Sequence, residues 1–344
     1  MSKMKVATFA LACLGLTSLS PAVAQTTFNV STYAPYQHPL VSVALENWAK
    51  EVAKESGGKI NINILKTALG QPQAHYDLAV NGVADITLGI PGYTPGRFSV
   101  VEVAALPGVG DTSEALSVAL WKTYEKFPSL RKEFDQVQVL GLMTTSPAHF
   151  HNAKRPINTM QDFSGLKSRV AGGVMSDVAK ALGVTPVLQP AGKVYELLSG
   201  GVIDAVIFPQ ETLKSFKLEK LIKHTTLVPG GLTAVPIFLV MNKAKFASLS
   251  KADQEALMRA SGERLSRING VVWDERDQEG IDSLKKEGGQ VAVANAALVK
   301  QINEATKDVA DKWVGEVKTA ANTDGSEILV YFRAEAKKAE PKKK

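Results

Sequence analysis

Arg169 stands on a short run of mostly small and apolar residues, Gly165-Leu166-Lys167-Ser168-Arg169-Val170, with glycine on each side. A guanidinium is planar, permanently charged and able to hold a carboxylate through two parallel hydrogen bonds. Fixed where a strand gives way to a loop, it marks a site for an acidic small molecule. The alternative is an internal ion pair with Asp162 or Glu211. Tyr33, Gln37 and His38 follow the first strand, and Tyr93 follows another strand through Gly89-Ile90-Pro91-Gly92. The C-terminal ends of strands line the ligand crevice in open α/β sheets. His38, next to Pro39, equally suits a turn, and Tyr93 with Phe98 equally suits a core. Gln71 and Gln73 flank Pro72 in a loop from which an amide could reach a ligand. His149 and His151 share one face of a strand. Two imidazoles begin a metal site, but no third ligand is evident by spacing, and half-exposed strand histidines are the simpler expectation. Lys66 and Lys193 are expected to be solvated.

The elements that position these residues follow from periodicity. Residues 27–31 read as a strand, and 40–56 as an amphipathic helix carrying Val43, Leu45, Trp48 and Val52, stopped by Gly57-Gly58. Ile60, Ile62 and Ile64 alternate along a strand over 59–65. A helix over 73–81 and a strand ending at Gly89 continue the alternation, which marks an α/β fold with a parallel core. The second half repeats it: strands over 138–142, 149–152, 166–170 and 186–189, helices over 176–182 and 194–199, and strands near 204 and over 235–241. Asn81-Gly82-Val83-Ala84-Asp85 and Gly201-Val202-Ile203-Asp204 each join a helix to a strand. This is either a weak internal duplication or two independent good turns. Ser250-Lys251-Ala252-Asp253 has the form of a capping box. No proline follows until past Glu287, so one helix of about 55 Å is expected there, long enough to run across two lobes. Gly288-Gly289 stops it; a strand over 290–293 and a helix over 297–319 complete the folded part.

Composition narrows the function. The chain has 344 residues and a formal net charge of +6. Lys3 and Lys5 precede an apolar run over 6–19 and the A-x-A site Ala22-Val23-Ala24, which together read as a cleaved secretory signal over 1–24. That run falls short of the roughly 20 residues that span a bilayer, so an uncleaved anchor is disfavoured. Cys13, the only cysteine, lies inside this segment and lacks the flanks of a lipoprotein site. The exported chain is then cysteine-free, which excludes disulfides, thiol nucleophiles and thiolate metal sites. With the signal and the lysine-rich end set aside, the body is near neutral, which disfavours nucleic acid as a partner. Residues 331–344 are expected to be a disordered basic tail.

Three motifs in order carry a family resemblance: Asp162-Phe163-Ser164-Gly165-Leu166-Lys167-Ser168-Arg169-Val170, then Ala181-Leu182-Gly183-Val184-Thr185-Pro186-Val187, then Tyr195 through Gly201-Val202-Ile203-Asp204. Ser56-Gly57-Gly58, Leu69-Gly70 and Asn81-Gly82-Val83 add to them. Over about residues 27–320 the chain resembles the periplasmic solute-binding proteins of TRAP transporters, the DctP family. The resemblance implies an α/β, two-lobed periplasmic-binding-protein fold (type II-like) with a long helix spanning both lobes. It assigns 25–148 plus 235–270 to lobe I and 149–234 plus 271–330 to lobe II. It implies a monomer in the periplasm that captures a small carboxylate and hands it to TRAP membrane permease subunits, with no chemistry and no cofactor. Arg169 takes the place of the family's carboxylate-pairing arginine.

The chain also departs from the family pattern. Ala148 stands where many members carry a second arginine. Val206, Ile207 and Phe208 replace a polar Gln-Glu-Asn, ahead of Pro209, Gln210 and Glu211. One cation fewer and one aromatic more suit a monocarboxylate with an apolar or aromatic body. The expected ligand-binding set is Arg169, Phe208, Pro209, Gln210, Tyr33, His38, Gln73, Tyr93 and His149. Gln210 and Glu211 are the place where a cation would join the ligand, if one does. The competing readings are a periplasmic enzyme, against which stands the absence of G-x-S-x-G, H-E-x-x-H or a phosphate loop, and a binding protein that reports to a sensor.

Overall fold

The computed structural model describes residues 25–341; the expected signal segment and the final three lysines lie outside the described residues. The chain opens β1 (Thr26–Thr32), α1 (Glu46–Glu55), β2 (Ile60–Ile64), α2 (His75–Val80), β3 (Ile86–Gly89). The three isoleucines of β2 are buried, as their alternation requires. Gly57 and Gly58, both at positive φ, end the helix before it. A π-helical turn over Leu40–Leu45 leads into α1, so the amphipathic stretch over 40–56 is one continuous helical segment with an irregular first part.

Then come α3 (Ser113–Lys126), α4 (Pro128–Glu133) and β4 (Val137–Thr144). Neither helix is legible from periodicity. The first half of α3 is buried nearly all round, so it lacks the polar face that marks a helix in sequence. The chain next builds β5 (His149–Asn152), β6 (Lys167–Val170), α5 (Val174–Ala181), β7 (Thr185–Leu188), α6 (Val194–Ser199), β8 (Ala205–Phe208), α7 (Thr212–Ser215) and β9 (His224–Leu227). It returns through β10 (Pro236–Asn242), α8 (Lys243–Ala247), α9 (Lys251–Ala260), α10 (Glu263–Lys286), β11 (Gln290–Val293), α11 (Ala296–Ala305), α12 (Lys307–Ala321) and α13 (Gly325–Ala339).

Two sheets result, one in each lobe, in the orders β2-β1-β3-β10-β4 and β11-β9-β5-β8-β6-β7. Their cores are mixed rather than wholly parallel. Strand β10 runs antiparallel to β3 and β4, and β5 runs antiparallel to β8 and β9. Each reversed strand is the one the chain enters on crossing from the other sheet. The two crossings pair with each other: Ala148 N–H donates to the Thr233 carbonyl at 2.7 Å, and Thr145 N–H to the Val235 carbonyl at 3.0 Å. The connection between lobes is therefore a short two-stranded bridge, and Ala148 is buried within it.

The expected helix of about 55 Å is two helices. Ser250 caps α9, accepting from Asp253 N–H at 3.2 Å, but the helix stops at Ser261. There Gly262 takes φ +62° and donates its N–H to the Leu140 carbonyl at 2.7 Å. The 24-residue α10 that follows is about 36 Å long and packs on α3 and β4 in the first lobe and on α7 and β11 in the second. Residues 331–339 are likewise not a disordered tail. Ile328, Leu329, Phe332 and Ala336 form a helical stripe buried against α3, and Lys122 pairs with buried Glu335 at 3.2 Å. The apolar stripe outweighs the lysines that share this helix.

Candidate ligand-binding site

A narrow, tightly closed cavity lies between the sheets. Tyr33 after β1, Tyr93 after β3, Arg169 of β6, Ala191 after β7 and Phe208 of β8 reach it, so C-terminal strand ends build it from both sides. The bridge between lobes supplies Thr145 and Val235, and α10 supplies Trp273.

Arg169 is 1% exposed. Its Nε donates to the Gln189 carbonyl at 2.7 Å and its Nη2 to the Tyr93 hydroxyl at 3.1 Å. The guanidinium lies over the Phe208 ring, 4.6 Å from the centroid, and Phe208 in turn stacks on Phe216 at 5.8 Å. Among the described residues no carboxylate comes within salt-bridge distance of Arg169. Asp162 is engaged by the backbone of Asn158 and Thr159, and Glu211 faces His38. Burial lowers the Arg169 pKa, opposed by Tyr93 and then Tyr33, but a guanidinium remains protonated at physiological pH. A buried unpaired cation carries a penalty on the order of several kcal/mol. An anion in the cavity removes it.

Tyr93 complements this cation. Its hydroxyl oxygen accepts from Arg169 Nη2 and from Ala191 N–H at 3.0 Å. With both acceptor positions taken, the phenolic proton is left to donate. Tyr33 meets Tyr93 edge-on at 5.9 Å, and burial pushes its phenol well above the usual range, so it too stays a neutral donor.

His38 closes another side, backed by Glu211. His38 Nδ1 accepts from Leu40 N–H at 3.2 Å, which leaves the proton on Nε2, 3.5 Å from Glu211 Oε2. Burial lowers His38 to about 4 and raises Glu211 to about 8, so the two meet as neutral groups near pH 7. Trp273 and Phe216 pack on the imidazole at 5.4 and 5.3 Å. The buried Trp273 Nε1 has no partner among the described residues.

The residues 30–316 match the model of the bacterial extracellular solute-binding proteins, family 7 (DctP). The chain belongs to this family. It is 37% identical to a TRAP periplasmic solute-binding protein from Bordetella bronchiseptica solved with (R)- and (S)-mandelate, with a TM-score of 0.88 over 92% of this chain and 100% of that one. A TRAP solute-binding protein from a marine metagenome, described as specific for aromatic acid ligands and solved with 3-hydroxybenzoate, is 27% identical, with a TM-score of 0.87 over 92% and 99%. A protein of Comamonas testosteroni named "Outer membrane transporter protein TsaT" is 29% identical over 89% of this chain and 90% of its own length. Members of the DctP family are solute-binding receptors that work with TRAP permeases.

Against this family frame, the cavity gathers Arg169, Tyr93, Tyr33, His38, Phe208 and Pro209, six of the nine expected residues. Gln73 is exposed on a 3₁₀ turn ahead of α2, because the loop turns its amide outward. Gln210 and His149 line a separate surface hollow with Asp111 and Pro147, and His149 Nδ1 is occupied by Val228 N–H at 3.1 Å. The strand histidines are buried, not half-exposed. His151 donates from Nε2 to the Phe208 carbonyl at 3.0 Å and accepts at Nδ1 from Thr225 at 2.8 Å, so it fixes the β8 end and has no nitrogen free for a metal. Glu211 is occupied by His38 and by Ser215, whose hydroxyl donates at 3.1 Å. Sequence reasoning passed over Trp273, Phe216, Thr145 and Thr212. None of the four carries a signal in the sequence, because the polar residues around Trp273 on α10, Asn269, Asp274 and Asp277, answer tertiary partners instead.

Proposed function

We infer that this receptor captures a small monocarboxylate with an aromatic or hydroxy-aromatic body and delivers it to a TRAP permease. The observation that carries this reading is Arg169, a fully buried cation without a carboxylate partner among the described residues, laid on an aromatic ring at the wall of a small apolar cavity. Arg169, Tyr93 and Tyr33 receive the carboxylate, and Phe208, Phe216 and Trp273 flank the ring. The mandelate and 3-hydroxybenzoate bound by the two similar proteins support the same class. A dicarboxylate would bring a second charge to a cavity that offers it no second cation.

Capture proceeds by hinge closure about the paired crossings, with lobe boundaries at 25–148 plus 235–270 and 149–234 plus 271–324, and with α13, expected from the sequence to be split between the second lobe and a tail, joining the first lobe through α3. The molecule acts as a monomer in the periplasm after loss of residues 1–24, does no chemistry and has no nucleic-acid partner. The periplasmic homologues support the location, and no helix among the described residues is long and apolar enough to cross a membrane. Mass spectrometry of what copurifies, followed by calorimetry with mandelate, benzoate, 3-hydroxybenzoate, succinate and sialic acid, tests it. Tight binding of the aromatic acids alone is expected. Tight succinate or sialic acid binding with none for the aromatic acids overturns it.

A further inference from the structure

Glu102 is a buried acid that ligand contact does not explain. It is the only ionisable residue of the 3₁₀ segment Val100–Ala105, all of which is buried. That segment is itself fixed. The Glu133 carboxylate of α4 accepts from Ser99, Val100 and Val101 N–H at 2.6, 2.6 and 3.0 Å. Glu102 is thus held on a rigid mount in the first lobe, yet its partner is in the second. Its Oε2 accepts from Val174 N–H at 3.2 Å, the first residue of α5, whose preceding strand carries Arg169. Among the described residues no cation pairs with it. Lys312, in the same groove, is taken by Asp177 at 2.7 Å and Glu316 at 3.6 Å.

The seam around this contact is made of backbone. A Cβ on Gly173 would stand 2.5 Å from Glu102 Oε2, and one on Gly172 would collide with the Gly92 carbonyl. Gly92 precedes Tyr93, so the seam lies beside the Tyr93–Arg169 bond. On its outer side Glu102 borders a broad groove, and on its inner side a small void that shares Ile90, Ala171 and Val235 with the ligand cavity.

We propose that Glu102 is a positioning residue that latches the closed form, bridging the lobes at the neck of the cavity by capping the N-terminus of α5 without touching the ligand. The inference rests on the carboxylate-receptor reading. In an open form Glu102 and Val174 N–H would each be hydrated; on closing they satisfy one another. Desolvation pushes the Glu102 carboxyl up to about 7 despite the Val174 bond, and Glu133, Glu316 and Asp177 add repulsion. A neutral oxygen acceptor therefore serves as well as a charged one.

The test compares Glu102→Ala with Glu102→Gln in the full chain. Cys13 is replaced, and spin labels are placed on cysteines introduced at the exposed positions Lys54 and Lys193, one in each lobe. E102A is expected to lower the closed population and to weaken mandelate binding about tenfold, with the ligand-free melting temperature unchanged. E102Q keeps the acceptor and is expected to stay within about threefold of the parent. An E102A chain with the parent's distances and affinity, or an E102Q chain as impaired as E102A, overturns the latch. A parent that binds none of the acids refutes the carboxylate reading instead, and the ligand-free distances then decide the latch alone.

Discussion

At the scale of single residues, the site is a charge without its counter-charge. Arg169→Lys leaves a cation but removes the planar fork, the Gln189 bond and the stack on Phe208. Ligand affinity is expected to fall about 10- to 100-fold, the equivalent of one charge-assisted bond, with no loss of ligand-free stability; near-parent affinity by calorimetry contradicts the clamp. Tyr93→Phe removes the acceptor shared by Arg169 and Ala191 and the proton left for the carboxylate, and about tenfold weaker binding is expected. Arg169 and Phe208 were legible in the sequence because each sits at a strand end whose own pattern is clear. Trp273 and Phe216 were not: Phe216 follows the short α7 just after Phe208, and Trp273 comes from α10, which packs on α7, a tertiary contact that no local pattern announces. Gln73 misled because a loop amide carries no information about which way it points.

At the scale of elements, α10 is the strut between lobes, and its glycines explain its placement. A Cβ on Gly270 would collide with the Glu114 backbone of α3, and one on Gly280 with the Gln210 carbonyl beside Pro209. Asp274 accepts from Ser113 and Glu114 N–H at 2.7 and 2.9 Å, and Asp277 from Glu211 N–H at 2.9 Å. One face of the helix thus ties the start of α3 to the loop that carries Glu211. Gly270→Ala and Gly280→Ala should each cost about 1–3 kcal/mol in denaturant unfolding, the usual range for overpacking. Only Gly280→Ala should also weaken ligand binding, since it displaces the loop next to Phe208. Equal effects of the two on affinity would deny α10 this local role. In sequence these glycines were visible only as flaws in a long helix. Gly262 was the real break, and what made it so is the strand edge it meets at Leu140, a tertiary contact. The same limit hid α13, whose lysines dominate its composition while its buried stripe dominates its packing.

For the whole molecule, the proposed closure would move titratable groups between water and a dry seam, which would make ligand affinity depend on pH. Glu211 and Glu102 are raised by burial to about 8 and about 7; once hydrated in an open form they return toward the ordinary glutamate range. The closed form therefore holds more protons on these two, and binding is expected to tighten as pH falls from about 8.5 to about 6.5. His38 works in the opposite sense. Burial lowers it to about 4, so below about 6.5 an open form gains a proton that closure must expel; the two glutamates outweigh it, so affinity should go on rising with about one proton net and level off only near the ordinary glutamate range. Calorimetry at pH 7.5 in two buffers of different ionisation enthalpy should register net proton uptake on binding. Glu211→Gln should abolish most of that uptake and flatten the rise below about 6.5, where Glu102 and His38 oppose one another. A profile flat from pH 5 to 9, with no proton uptake, would mean that these side chains stay buried whether or not a ligand is present, and that the lobes do not part where His38 meets Glu211.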